Sequence, residues 1–229
     1  MKNILFHVGN PKCGSTSLQD YFAGHRPFLG DIKFIDGLSG SSKDKRAQID
    51  TLYHECSEET FISDERISGY RFQNQPPRLK RSDYIDIIKD KFDDYNVSIL
   101  LFIRRQDRMI ESSYLNAIHS GLDMSLDEYV EGSEMISYYD QVKNWNIFDE
   151  LFVVPFNRYK DDNKKFIKTV LAETFDSGFS LPDQFRKKNV RLGGGSLLSD
   201  QQRDEVMMRH WEDQCDLVTE YSDKMLSNW

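Results

Sequence analysis

The chain has 229 residues, 38% of them apolar and 13% aromatic, so it can build the core of one large domain and is not a disordered polymer. Its 38 acids outnumber 30 Lys and Arg for a net charge of −8, which argues against general nucleic-acid binding, because that depends on cations meeting phosphates. Cys13, Cys56 and Cys215 form no CxxC pair, the N-terminal apolar run is broken by His7 and Gly9, and no stretch approaches a membrane span. A cytoplasmic protein without structural zinc, disulfides or a secretion signal is therefore expected.

In chain order, 3–8 (NILFHV) reads as a buried strand ending at Gly9, and Leu18, Tyr21 and Phe22 follow at helical spacing. A weak strand is predicted at 32–35, a Gly/Ser/Lys loop over 38–45, a helix over 46–56 and a strand at 59–63. Segment 66–81 contains Gly69, Pro76 and Pro77 and reads as loop, with Ser82 placed to cap a helix carrying Tyr84, Ile85, Ile87, Ile88 and Phe92. VSILLFI at 97–103 is apolar on both faces, as a central parallel strand must be. Helices are expected at 107–119, 137–149 and 162–174, with a strand at 151–156 between the last two. Ser199 and Gln202 form an S-x-x-Q capping box that opens a long final helix over about 199–226. Strands alternating with helices imply one α/β domain over 1–229, a central parallel sheet flanked by helices, with ligands bound beyond the strands' carboxyl ends.

The loop after the first strand, Gly9-Asn10-Pro11-Lys12-Cys13-Gly14-Ser15-Thr16, has the spacing G-x-x-x-x-G followed by hydroxyl residues. Glycines let backbone wrap a phosphate, and the following helix start offers free N–H groups and partial positive charge. This is close to a Walker A loop, with one departure: the residue after the second glycine is Ser15, and the lysine lies earlier, at Lys12. No strand is read as ending in an Asp suited to Mg²⁺; the strongest ends in Arg104-Arg105. Arginines in that place suggest a ligand with an extra anionic group and no metal.

H-x-G-x-P-K-x-G-S-T-S-L-Q at 7–19, with the later strand–Arg–helix unit FIRRQDRMIESSY, resembles the sulfotransferases that use 3′-phosphoadenosine-5′-phosphosulfate (PAPS; spent product PAP). The resemblance spans nearly the whole chain and implies the P-loop nucleotide-kinase-like sulfotransferase fold, in a bacterial, carbohydrate-type branch. It implies that Pro11, Lys12, Cys13, Gly14, Ser15, Thr16 and Ser17 hold the 5′-phosphosulfate, and that Arg104 with Ser112, eight residues on, holds the 3′-phosphate. Arg105 and Ser113 have the same separation, and the RRQD…ESxY form favours Arg104 and Ser112. The family often has Thr where this chain has Cys13. Its late glycine-rich loop is represented by RKKNVRLGGGS, in a different order, so Lys188 and Arg191 are the donor residues implied there.

Sulfuryl transfer needs an in-line acceptor, a stabilised leaving phosphate and a base. Lys12 is the candidate for the leaving group, and Glu65 in FISDERIS for the base, by comparison with glycan-acting members. Asp64, His54 and His7 are rivals, but His7 lies inside a strand and reads as a packed residue, and His119 as a helix-end cation. Loop 70–81 carries aromatics with Arg71, Arg78, Lys80 and Arg81 and is a candidate acceptor groove or a solvated loop. Met207, Met208 and Trp211 read as a packing face. The resulting expectation is sulfuryl transfer from PAPS to a hydroxyl of a carbohydrate or glycoconjugate, with no metal. A P-loop kinase or NTPase with a displaced lysine, and a non-catalytic nucleotide binder, are the rival readings.

Overall fold

The apolar run predicted at 97–103 is the core of a nine-residue strand in the computed structural model, which describes residues 2–10, 12–37, 45–68, 81–132, 137–156, 163–181 and 196–221. Chain order is β1 (Lys2–His7), α1 (Ser15–Gly24), β2 (Lys33–Asp36), α2 (Lys45–Glu55), β3 (Glu59–Ser63), α3 (Arg81–Lys91), β4 (Tyr95–Ile103), α4 (Gln106–His119) and α5 (Leu126–Gly132). It continues with α6 (Tyr138–Trp145), β5 (Glu150–Pro155), α7 (Asn163–Thr174), α8 (Asp200–Arg209) and α9 (Trp211–Tyr221), with 3-10 turns at Arg26–Phe28 and Glu65–Ser68. Among the described residues no helix is long and apolar enough to cross a membrane, and no group of three His, Cys, Asp or Glu is gathered for a metal.

All five strands pair in parallel, in the order β2-β3-β1-β4-β5. The two-residue period of a strand divides their side chains between two cores. Ile4, Phe6, Ile62, Ile99, Leu101 and Val153 meet α2, α3 and α6 on one face. Leu5, Phe61, Leu100, Phe102 and Val154 meet α1 and α7 on the other. Both faces are covered, which is why the central strands carry no polar alternation. Fully buried side chains such as Phe6, Phe22, Phe61 and Phe102 each contribute about 1.5–3 kcal/mol of burial free energy. A smaller cluster of Ile110, Tyr129, Val130, Leu198 and Val206 ties α4 to α5 and α8.

Three expectations need correcting. The single final helix is two, α8 and α9, parted at the buried His210; the predicted capping box at Ser199 and Gln202 is present. The break lets Val206 on α8 reach Ile110 while Leu217 on α9 reaches the main core. Met208 and Trp211 are not a packing face: they are 71% and 60% exposed, because Val206, His210 and Leu217 form the buried side. Ser82 is the second residue of α3 and not its cap. Helix α5 was not anticipated. Residues 222–226, and 38–44, 69–80 and 182–195 of the predicted loops, lie outside the described residues.

Candidate functional site

The order of the strands brings the carboxyl ends of β3, β1 and β4 side by side, with His7 level with Ser63 and Leu100. The chain leaves β1 toward β2 and later crosses from β3 over β1 to β4, so the loop after β1 opens at the switch point of the sheet, where such folds hold ligands.

That loop is tightly specified. Gly9 does not have a positive φ; it is required because a Cβ there would lie 2.4 Å from His7 Nε2 and 2.7 Å from Ser15 Oγ. Lys12 has φ +64°, the only positive φ among the described non-glycine residues, and Gly14 has φ +92°. Holding Lys12 in the left-handed region costs on the order of 1 kcal/mol, so the surroundings fix its direction. Asn10 is fully buried and donates from Nδ2 to the Phe102 carbonyl at 3.1 Å and to Gln141 Oε1 at 2.9 Å. The carbonyl admits only a donor, which sets the orientation of both amides and leaves Asn10 Oδ1 and Gln141 Nε2 buried without partners. Cys13 packs in the core beside Leu5 and Leu18, and its N–H donates to the Asn10 carbonyl at 3.3 Å. Burial pushes its thiol up to about 12, so Cys13 packs as a neutral core side chain that anchors the loop.

Helix α1 then begins with no side-chain cap and no acid in its first turn. The Ser15 hydroxyl is buried with no partner, Thr16 is exposed and Ser17 half-buried. An uncapped N-terminus beside an unpaired buried hydroxyl suits an oxyanion.

The cations converge here. Lys12 Nζ donates to Asn116 Oδ1 on α4 at 2.7 Å, and an Arg104 guanidinium N–H donates to the Lys12 carbonyl at 2.7 Å. Arg104 also sits over the Phe156 ring, 5.1 Å from its centroid. Burial lowers the Lys12 pKa from its ordinary value; the nearby Glu65 carboxylate opposes that shift and Arg104 adds to it. Burial lowers that of Arg104 as well. Two cations sharing one recess, only partly compensated by a carboxylate, favour an anionic ligand.

Arg105 is turned the other way. Its guanidinium grips Asp107 with two hydrogen bonds, at 2.9 and 2.7 Å, and it is exposed. Ser113 is buried and Ser112 half-buried. Of the two registers, Arg104 is the arginine that touches the first loop. Next to Ser112, Glu111 accepts from the N–H groups of Leu197 and Leu198 at 2.8 and 3.2 Å, from the Ser196 hydroxyl, and from Arg108 at 3.1 Å. The chain therefore returns to α4 directly after the glycine-rich stretch.

Glu65 opens the 3-10 turn after β3, half-buried and close enough to influence Lys12 and Cys13. From sequence no strand is read as ending in an Asp suited to Mg²⁺; the residue that follows β3 is Asp64, 2% exposed, and its N–H donates to the His7 carbonyl at 3.0 Å. His54 is exposed on α2, which leads into the amino end of β3, so it lies at the opposite edge of the sheet from the loop. His119 is exposed at the far end of α4. Pro11, Lys188 and Arg191 lie outside the described residues, as do Arg71, Arg78 and Lys80.

Asn116, Arg108 and Gln141 were not singled out from sequence, and Asn10 was named only as part of the loop. One signal was present: Arg104, just before the α4 cap Arg105, and Arg108, Ser112 and Asn116 along α4 recur every four residues.

No protein-family model matches the sequence, and no curated protein does so either. Solved structures do match in fold. A sulfotransferase from Alicyclobacillus acidocaldarius superposes with TM-score 0.63 at 17% identity, covering 96% of this chain and 95% of that one. Mouse sulfotransferase SULT7A1, complexed with PAP, superposes with TM-score 0.55 at 14% identity, covering 97% and 90%. The chain has the sulfotransferase fold, an all-parallel five-stranded sheet flanked by helices.

Proposed function

We propose that the protein is a cytoplasmic sulfotransferase that moves a sulfuryl group from PAPS to a hydroxyl of a carbohydrate or glycoconjugate. The observation that carries the reading is the bond from Arg104 to the Lys12 carbonyl, which joins the two cationic motifs in one recess beside an uncapped helix start. The recess fits the donor: Ser15 offers a buried, unpartnered hydroxyl, and Thr16 and Ser17 add two more.

In this reading the first-turn N–H groups of α1 and the hydroxyls of Ser15, Thr16 and Ser17 bind the 5′ end. Arg104 and Ser112 bind the 3′-phosphate. Lys188 and Arg191 add charge from the segment that rejoins α4 at Ser196. As the acceptor oxygen bonds to sulfur, its proton passes to Glu65, the sulfur–oxygen bond to the phosphate breaks, and Lys12 offsets the charge left on that oxygen. Lys12 would exchange its bond to Asn116 for the phosphate oxygen.

A P-loop kinase is the second reading, and Asp64 favours it: a buried carboxylate at the end of the strand next to β1 is where such enzymes hold Mg²⁺. Thermal stabilisation by PAP, ADP and Mg²⁺-ATP separates the two. A ligand at about 100 times its dissociation constant adds about 2.7 kcal/mol, worth about 2–4 °C per kcal/mol in a chain of this size. Stabilisation that requires the 3′-phosphate supports the sulfotransferase; stabilisation by Mg²⁺-ATP alone supports the kinase; none with any nucleotide overturns both.

A further inference from the structure

Behind the first loop lies a histidine to which the proposed reaction gives no proton. His7 is fully buried on β1, with Nδ1 2.7 Å from Ser63 Oγ and the Phe102 ring tilted against it at 4.9 Å. Its Nε2 has no partner. Burial holds its pKa down at about 3, against the opposing Asp64 charge, so the ring is neutral.

The unpaired nitrogen has a counterpart. A Cβ on Gly9 would meet both His7 Nε2 and Ser15 Oγ, so these two atoms flank the bare face of Gly9. Both are buried and both lack partners. A neutral imidazole carries one N–H, and a hydroxyl either donates or accepts, so the Ser63 and Ser15 hydroxyls together match the ring in either tautomer. The same ring thus faces the loop on one side and, through Ser63, the segment bearing Asp64 and Glu65 on the other.

We infer that His7 is a positioning residue for this site: with nucleotide in the loop the Ser15 hydroxyl pairs with His7 Nε2, while the Nδ1–Ser63 bond fixes the same ring to the segment that carries Glu65. The inference rests on the nucleotide reading of the loop. It explains why an alanine is excluded at Gly9, whose open face lies between the two atoms.

The test is a double-mutant cycle on the full chain, with PAP affinity read by titration calorimetry. His7→Phe is expected to weaken binding about tenfold, the scale of one lost hydrogen bond. The His7→Phe/Ser15→Ala pair is expected to bind no worse than Ser15→Ala alone, because the two act through one contact. His7→Gln, whose amide reaches the Nε2 position, is expected to recover most of the loss at equal thermal stability, and His7→Asn is not. Unchanged affinity in His7→Phe, losses that multiply in the pair, or equal recovery by Gln and Asn would each overturn the inference. If His7→Phe fails to fold, His7→Asn takes its place in the cycle under the same criteria. A wild-type chain that does not bind PAP overturns the functional reading instead, and is recognised before any variant is compared.

Discussion

The Tyr138 hydroxyl donates to the Arg104 carbonyl at 2.6 Å and accepts from the Arg104 N–H at 3.2 Å. One phenol on α6 therefore clamps the backbone at the end of β4. The same helix, one turn on, presents Gln141 to Asn10 of the first loop. Helix α6 is itself held by Asp213 of α9, which accepts from the Tyr138 and Tyr139 N–H groups at 2.9 and 3.1 Å. Both candidate ligand motifs are thus referenced to one short helix. Tyr138→Phe is expected to cost about 1–3 kcal/mol by leaving two backbone groups unpaired, a melting shift of about 2–12 °C, and to weaken PAP binding. A variant with wild-type melting and affinity would show the clamp to be idle.

Gly9 and Gly24 make a matched pair. A methyl group on Gly9 meets the buried imidazole and hydroxyl at 2.4 and 2.7 Å, and the imidazole is held by Ser63 and Phe102, whereas on Gly24, the last residue of α1, it meets nothing within 4 Å. Gly9→Ala is expected to lose about 1–3 kcal/mol together with nucleotide binding. Gly24→Ala is expected to gain up to about 1 kcal/mol through a less flexible unfolded chain. Urea denaturation of both variants checks this; equal effects would mean that the loop relaxes around the added carbon.

Much of this was legible in sequence where the determinants are local. The fully apolar 97–103 run could only be an interior strand, and Lys12 stood out because a turn has no use for a cation. What was hidden depends on contacts distant in sequence. Asn116 accepts from Lys12 across 104 positions, and nothing short of the fold brings them together, although the four-residue recurrence from Arg104 was in view. The break at His210 has no glycine or proline to announce it; it arises because α8 packs on α4 while α9 packs on α6. Asp64 was read only as a rival base, because a carboxylate directly after an apolar strand reads equally as turn, and its burial against β1 is set by the pairing of β1 with β3. Met208 and Trp211 misled because apolar character was equated with burial, which holds only in one direction.

Glu111 gives a pH-dependent stability term with a definite sign. Burial alone raises its carboxyl, but the hydrogen bonds from Ser196, Leu198, Arg108 and Leu197 outweigh it and hold the pKa below the ordinary 4.5. A carboxyl depressed by folding stabilises the fold above its unfolded value, and that contribution is lost as pH falls through the folded value. Glu111→Gln is therefore expected to lose about 1–3 kcal/mol at neutral pH, the scale of hydrogen bonds to a charged group. Its deficit against wild type is expected to shrink below the ordinary glutamate range. Denaturant midpoints at several pH values measure this, and a deficit independent of pH would assign Glu111 a purely steric role.

Lys12 and Glu65 set the alkaline behaviour of the site. Because burial lowers the Lys12 pKa below its ordinary 10.5, the ammonium loses its proton at a lower pH than a free lysine, and PAP affinity is expected to fall on that limb. Lys12→Arg keeps its charge throughout, so its affinity profile should stay flat there even where misplaced geometry lowers its absolute value. Glu65 opposes the shift in Lys12. Glu65→Gln should therefore move the alkaline limb of binding to lower pH while reducing transfer by about 10²–10⁴-fold through loss of the base. The two effects separate the roles: a limb that moves without loss of transfer would leave Glu65 as an electrostatic neighbour of Lys12 and pass the base to Asp64. A limb unchanged in Lys12→Arg would assign the titration to another group altogether.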